Sequence, residues 1–177
     1  MTKIAVFVGS LRKESLNKKL AQNLESLTPD GVEFEYINLE QPLFNGDIEA
    51  DMPDSVRAMK STVEAADAVL FVTPEYNRSI PGVLKNAIDW TTRPTNSFKG
   101  KPAAIAGATN GALGTAVAQS GLRHIVSYLG MHLMGQPELY FNFASKKLDE
   151  QGVVTDENKE KLDSYINHFV EHTNRLT

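Results

Sequence analysis

Short runs of apolar residues alternate along this chain with longer stretches in which apolar residues recur every three or four positions. Apolar runs bounded by turn residues are typical of buried strands, and the longer period is typical of amphipathic helices. The predicted strands are residues 3–8, 32–37, 68–73, 103–109 and 132–141, the last interrupted by Gly135 and Pro137. The predicted helices are residues 15–27, 54–66, 82–92, 115–129 and 156–176.

The regular alternation of strand and helix predicts an α/β fold, a doubly wound five-stranded parallel sheet with helices on both faces. In sheets of this kind, ligands bind beyond the carboxyl ends of the strands, where the strand order reverses. The loops after the first, third and fourth predicted strands should therefore meet at one edge of the sheet. The polar and glycine-bearing segments of the chain fall in these three loops.

The loop after the first strand carries a candidate phosphate site. It reads Gly-Ser-Leu-Arg-Lys-Glu-Ser-Leu-Asn and leads into a helix, whose first N–H groups have no partner within the helix. The hydroxyls of Ser10 and Ser15, the amide of Asn17 and the charge of Arg12 suit a terminal phosphate monoester. With Gly9 as its one glycine, the loop is neither a dinucleotide fingerprint nor a Walker A motif. Ser15 is equally a natural N-cap of the helix, and the two roles are compatible.

Length and composition narrow the class of protein. The 177 residues fit a single domain spanning the whole chain, and a formal net charge of −4 argues against a general nucleic-acid or membrane-surface binder. The sequence has no cysteine, which excludes disulfides, thiolate nucleophiles and cysteine-ligated metals. No apolar run approaches the length of a membrane span and no signal peptide precedes the first strand, so we expect a cytoplasmic protein.

A second motif follows the third predicted strand, and it is longer and more specific than the candidate phosphate loop. It reads Thr-Pro-Glu-Tyr-Asn-Arg-Ser-Ile-Pro-Gly-Val-Leu-Lys-Asn-Ala-Ile-Asp-Trp from Thr73 to Trp90. Together with Gly-Ser-Leu-Arg-x-x-Ser-x-Asn in the first loop, it closely resembles the NAD(P)H-dependent FMN reductase family, which includes azoreductases and quinone and chromate reductases. The resemblance covers essentially the whole chain in order and spacing. It implies a flavodoxin-like fold, non-covalent FMN as cofactor and NAD(P)H as electron donor.

The resemblance also implies site residues. It places the FMN phosphate and ribityl chain on the first loop, and the isoalloxazine ring on the loops after the third and fourth strands. The implied residues are Ser10, Leu11, Arg12, Ser15, Leu16 and Asn17, then Pro74, Glu75, Tyr76, Asn77 and Arg78, and finally Thr109, Asn110 and Gly111. The implied reaction passes hydride from a nicotinamide through FMN to a quinone, an azo compound or another flavin. Because the cofactor carries this chemistry, we expect no indispensable catalytic side chain.

Two other classes of protein stay open at this point. A flavodoxin-like electron carrier without its own NAD(P)H turnover would share the fold, although the mild acidity and Arg78 favour an enzyme that binds anionic NAD(P)H. A flavin-free binding domain is the other class. The resemblance further implies a homodimer or a tetramer, with Arg93, Phe98 and Tyr128 as candidates for the acceptor pocket.

Two smaller patterns are interpreted as structural. Ser79 suits the N-cap of the following helix, with Pro81 in its first turn. His168, Glu171 and His172 match the H-x-x-E-H pattern of zinc proteases. Short motifs often match by chance, and histidines near a helix C-terminus are favoured by the helix dipole. We therefore predict no metal site.

Overall fold

The strands form one parallel sheet. The computed structural model describes residues 1–143 and 156–177. Its strands are β1 (Thr2–Val8), β2 (Val32–Tyr36), β3 (Ala68–Val72), β4 (Pro102–Thr109), β5 (His132–Leu133) and β6 (Leu139–Asn142). Their order is β2-β1-β3-β4-β5, β6 pairs with β4 as well, and every pairing between these strands is parallel. This order is the flavodoxin-like one, so the predicted fold is confirmed.

The last predicted strand is divided into two. β5 pairs with the beginning of β4, and β6 pairs with the second half of β4 from Ala106 to Thr109. The division falls at Gly135 and Pro137. Proline has no N–H to donate to a strand pairing and glycine weakens a strand, so the ladder is interrupted there.

Helices cover both faces of the sheet, as predicted. They are α1 (Leu16–Glu25), α2 (Asp54–Ala65), α3 (Gly82–Thr91), α4 (Ala116–Tyr128) and α5 (Asp156–Asn174), and a short 3₁₀ helix, Gly46–Ile48, lies in the segment between β2 and α2. Buried leucines of α1 and α5 pack on one face against Ile4 and Val6. On the other face α2, α3 and α4 pack around Phe7 and Phe71. In the described ranges, no helix combines the length and apolar character that a membrane crossing requires.

The carboxyl ends of β1, β3 and β4 lie side by side. The N–H of Gly9 donates to the carbonyl of Val72 at 2.9 Å, and the N–H of Thr73 donates to the carbonyl of Ala106 at 2.9 Å. The parallel ladder thus extends one residue past β1 and β3, and the loops after these strands begin at the same edge. The prediction that the three loops meet there is confirmed.

Candidate active site

A cleft of about 130 Å³ lies where the three loops meet. Its lining contains most of the predicted site residues, namely Ser10, Arg12, Ser15, Leu16, Asn17, Pro74, Glu75, Tyr76 and Thr109, together with Ala108. Predicted residues outside this lining are Leu11, Asn77, Arg78, Asn110 and Gly111. The fold therefore brings segments from three distant parts of the sequence to one small cavity.

One end of the cleft is the first turn of α1. Ser15 is the N-cap of this helix, and its hydroxyl accepts the N–H of Lys18 at 3.2 Å, so the capping prediction is confirmed. The N–H groups of Leu16 and Asn17 precede the first possible intrahelical acceptor and point out of the helix start. The Arg12 side chain is exposed and has no ion pair or hydrogen bond within residues 1–143 and 156–177. This end of the cleft offers free donors and positive charge, the chemistry that binds a phosphate.

The side chain of Asn17 is engaged elsewhere. Its Nδ2 donates to the carbonyl of Ala108 at 3.0 Å, and its Oδ1 accepts the N–H of Ala108 at 2.9 Å. This pair of hydrogen bonds joins the start of α1 to the end of β4, and Asn17 is only 3% exposed. The amide therefore holds two walls of the cleft together, and only the backbone N–H of Asn17 is left for a ligand.

The loop after β3 ends in a tight two-residue turn. Tyr76 and Ser79 exchange N–H···O hydrogen bonds, both of 3.0 Å, and the two residues between them, Asn77 and Arg78, have φ values of 52° and 64°. Positive φ at both central positions is the geometry of a type I′ turn, which is usual for asparagine and unusual for arginine. The turn presents the Tyr76 side chain, 46% exposed, at the mouth of the cleft.

The predicted capping role of Ser79 is wrong. The N-cap of α3 is Pro81, in an extended conformation and without a side-chain capping bond, and the helix begins at Gly82. Because the backbone of Ser79 closes the turn with Tyr76, this serine lies too early in the chain to cap the helix. The helix itself begins at Gly82, as predicted, and only the assignment of its cap was wrong, because local sequence preferences did not indicate the turn.

Glu75 connects the loop after β3 to the start of α4. Its Oε2 accepts the N–H groups of Val117 and Ala118, both at 3.0 Å. The α4 N-cap, Thr115, adopts a left-handed conformation (φ 70°) and makes no side-chain capping bond of its own. Arg78 Nη1 lies 3.7 Å from the other carboxylate oxygen, and because the Arg78 side chain is 68% exposed, this ion pair is weak. Glu75 thus caps α4 from a different loop, a function that its place in the sequence did not reveal.

Gly107 allows the backbone of β4 to approach its neighbours closely. A Cβ at this position would overlap the Thr115 hydroxyl and lie 2.5 Å from the Thr73 carbonyl. The Thr115 hydroxyl in turn accepts a hydrogen bond of 3.0 Å from Gln119 Nε2, and Gln119 is completely buried. Thr115 and Gln119 thus pack against β4 next to the site, and no motif in the sequence indicated this role.

Other candidate residues lie away from the cleft. Phe98 is fully buried against Phe7 and Phe71, with ring centroids 5.7 and 5.9 Å apart, so it cannot line an acceptor pocket. His172 Nε2 lies 2.7 Å from the carbonyl of His132, and His168 Nδ1 lies 2.7 Å from that of Ser164. Across the part of the chain that the structure describes, no cluster of histidine and acidic side chains could hold a metal ion.

Residues 2–146 match the NADPH-dependent FMN reductase family. The chain belongs to this family. It is 45% identical over 171 residues to a 2-hydroxy-1,4-benzoquinone reductase of Burkholderia sp., with 94% of this chain and 93% of that protein covered. A quinone reductase of Pseudomonas putida is 39% identical over 170 residues, with 94% and 91% covered.

A solved structure agrees over nearly the whole fold. FerB, a flavoenzyme NAD(P)H:(acceptor) oxidoreductase from Paracoccus denitrificans, has a TM-score of 0.94 and 43% identity, covering 99% of each chain. The predicted family and the predicted class, an FMN-dependent NAD(P)H oxidoreductase, are confirmed by these matches. They favour an enzyme over an electron carrier without its own turnover.

Proposed function

We propose that this enzyme uses FMN, bound at the cleft of the three loops, to reduce a small quinone with electrons from NAD(P)H. The two quinone reductases at 45% and 39% identity support a quinone as acceptor. The observation that carries the proposed site is the unpaired guanidinium of Arg12 next to the open first turn of α1. The lining contains one carboxylate, that of Glu75. It accepts hydrogen bonds from the start of α4 and is therefore directed away from the proposed phosphate position.

The residues present fit the phosphate end of FMN. The hydroxyls of Ser10 and Ser15, the N–H groups of Leu16 and Asn17, and Arg12 supply donors without an intervening carboxylate. The Ser15 hydroxyl accepts the N–H of Lys18, which leaves its own proton free to donate to a phosphate oxygen. Arg12 neutralises the phosphate charge, which a helix terminus alone compensates only partly.

The flavin ring needs more space than this cleft provides. A volume of about 130 Å³ is below the range of about 300–1,000 Å³ that is usual for small-molecule pockets. We therefore assign the cleft to the phosphate and ribityl chain. Around the ring we place Pro74, the exposed Tyr76 and the backbone of Asn77 and Arg78 on one side, with Thr109, Asn110 and Gly111 on the other.

Bound FMN would supply the hydride-accepting and hydride-donating centre of the reaction. The protein binds and orients it: Asn17 and Glu75 hold the walls of the site by hydrogen bonds to β4 and α4. Arg78, 68% exposed on the turn, would attract the anionic donor. That no side chain acts as an indispensable acid or base stays a prediction.

The phosphate assignment is tested by comparing FMN with riboflavin, which lacks the phosphate. Arg12→Ala should weaken FMN binding by about tenfold to a hundredfold, the effect of removing one hydrogen bond to a charged group, and leave riboflavin binding unchanged. Arg12→Lys keeps the charge, so its FMN affinity should lie between those of the wild type and Arg12→Ala. Fluorescence titration of the apoprotein measures both affinities, and an Arg12→Ala variant with unchanged FMN affinity would contradict the assignment.

The acceptor is tested separately by anaerobic mixing of the FMN-loaded enzyme with NAD(P)H and then a benzoquinone. We expect the flavin absorbance to bleach with the donor and to return with the quinone. Bleaching without recovery would contradict a quinone acceptor. Failure to bleach with NADH and with NADPH would contradict the donor.

A homodimer, or a tetramer built from it, is part of the proposal. The face formed by α3 and α4 carries a groove of about 340 Å³, and Tyr128 on its rim is 90% exposed. A second subunit on this face would bury Tyr128. Tyr128→Arg should lower the mass measured by light scattering to that of a monomer, whereas Leu176→Arg, an exposed leucine beyond α5, should not. A single domain over residues 1–177 and a cytoplasmic location stay predictions.

A further inference from the structure

A second and larger cleft adjoins the proposed phosphate site. It has a volume of about 440 Å³ and lies between the first turns of α1 and the segment that follows β2. Ser10 lines both clefts, so the two are neighbours at the carboxyl end of β1. Apart from Ser10 and Leu11, none of the residues assigned to FMN lines it.

The wall after β2 is held in place by its own hydrogen bonds. Asn38 Oδ1 accepts the N–H of Glu40 at 2.9 Å, and the Asn38 carbonyl accepts Gln41 Nε2 at 2.9 Å. The N–H of Ile37 continues the sheet to the carbonyl of Val6 at 2.9 Å. These hydrogen bonds restrict the conformations open to the segment, which lowers the entropy cost of binding a ligand.

The lining combines an apolar floor with two charges. Ile37 and Leu39 are buried beneath the cleft, and Leu11 is 51% exposed at its rim. Lys18 and Glu40 stand on opposite walls, and neither side chain has an ion pair or hydrogen bond among the residues of the described ranges. Tyr36 is not available as a charge, since burial and its hydrogen bond to Glu25, 2.7 Å, raise the pKa of its hydroxyl.

These features match the parts of an adenosine phosphate. A purine base needs an apolar surface, a ribose diol is bound by a carboxylate, and a phosphate is bound by a cation. In dinucleotide-binding folds, a carboxylate beyond the glycine-rich fingerprint hydrogen-bonds the ribose hydroxyls. This chain lacks that fingerprint, so only the chemistry of the carboxylate is carried over. Glu40 follows β2 here, and Lys18 lies in the turn of α1 nearest the proposed FMN phosphate.

We infer that this cleft binds the adenosine diphosphate end of NAD(P)H, with Lys18 on the pyrophosphate and Glu40 on the adenine ribose. The inference rests on the proposed function, because it takes NAD(P)H as the donor and needs its nicotinamide end to reach the flavin ring that we place beside Tyr76 and Thr109. A carboxylate at the ribose favours the donor with a free 2′-hydroxyl over the one with a 2′-phosphate. The cleft therefore selects NADH over NADPH.

The test uses the FMN-loaded enzyme and three variants. Lys18→Ala and Glu40→Ala remove the two proposed contacts, both from exposed side chains. Lys99→Ala is the matched control, since it removes an exposed lysine that precedes β4, at the opposite end of the sheet. Binding of ADP is measured by calorimetry without turnover, and KM and kcat are measured for NADH and NADPH with a benzoquinone.

We expect ADP to bind and to compete with NADH. Lys18→Ala should weaken ADP binding and raise the KM for both donors by about tenfold, the effect of one lost charged hydrogen bond, with kcat at saturating donor unchanged. Glu40→Ala should raise the KM for NADH and lower that for NADPH, so that the preference between donors shifts. FMN affinity should be unchanged in all variants.

Three results would overturn the inference: equal ADP affinity in the wild type and Lys18→Ala, ADP that binds without competing with NADH, or a donor preference that Glu40→Ala does not change. Failure of the proposed function is distinguishable, because it would abolish NAD(P)H oxidation in the wild type. The ADP titration would still decide whether the cleft is a nucleotide site.

Discussion

Replacement of Glu75 tests whether the site depends on the hydrogen bonds between its loops. In Glu75→Ala the N–H groups of Val117 and Ala118 lose their acceptor, and α4 loses its cap. An N-cap contributes about 1 kcal/mol and a hydrogen bond to a charged group about 1.5–3 kcal/mol. The two bonds share one oxygen, and the Glu75 side chain is only 16% exposed. We expect a loss of about 2–3 kcal/mol in the free energy of unfolding.

Glu75→Gln separates hydrogen bonding from charge. The amide oxygen of glutamine can accept the same two N–H groups, so this variant should lose only about 1 kcal/mol, the share due to the charge at the helix terminus. Its FMN affinity should stay close to that of the wild type, whereas Glu75→Ala should bind FMN less tightly because the loop after β3 is released from α4. Glu33→Ala, an exposed glutamate on the edge strand β2, serves as the control.

Thermal unfolding of the apoproteins measures the stability change. At about 2–4 °C per kcal/mol for a chain of this size, Glu75→Ala should unfold about 5–10 °C below the wild type and Glu75→Gln about 2–4 °C below it. A Glu75→Ala protein that melts with the control would refute the capping role. Equal losses in both variants would show that charge, and not the geometry of the acceptor, holds α4.

Three further substitutions test other contacts. Gly107→Ala should lower the free energy of unfolding by about 3 kcal/mol or more, because no side chain fits between β4 and its neighbours. The loss would be seen as a low yield or a low melting temperature. A variant as stable as the wild type would contradict the close packing at Gly107. Asn17→Ala should lose about 2 kcal/mol in urea unfolding, since both backbone groups of Ala108 lose their partner, and Asn17→Asp should recover only the accepting half. Lys60→Met should lose about 2–3 kcal/mol, because the buried ammonium donates to three oxygens of residues 91–97. Burial lowers the pKa of Lys60 below its ordinary value of 10.5. Between the lowered pKa of the folded protein and 10.5, the unfolded chain binds more protons than the folded one. The free energy of unfolding of the wild type, relative to that of Lys60→Met, should therefore rise as the pH approaches 10.5.

The residues that line the cleft could largely be predicted because they lie in short contiguous segments of the sequence. The proposed phosphate end lies where a loop leads into a helix, and there Ser15 caps the first turn as predicted. Leu11 does not line this cleft, because it lines the larger cleft on the other side of Ser10. The turn at Asn77 and Arg78 could not be predicted, since arginine at positive φ is disfavoured and is maintained here by the surrounding structure.

The sequence by itself determined the order of strands and helices, the faces that they bury and the three loops that carry polar residues. Those features depend on local periodicity and on the rules of parallel sheets, which act within each element and between neighbours. Tertiary structure alone decided what the polar side chains do. Glu75 reaches amides 42 and 43 residues away, and Asn17 reaches a peptide 91 residues away. Such partners meet only after the sheet has assembled, and for this reason the sequence did not show that the side chains of Asn17 and Glu75 join the loops of the proposed site.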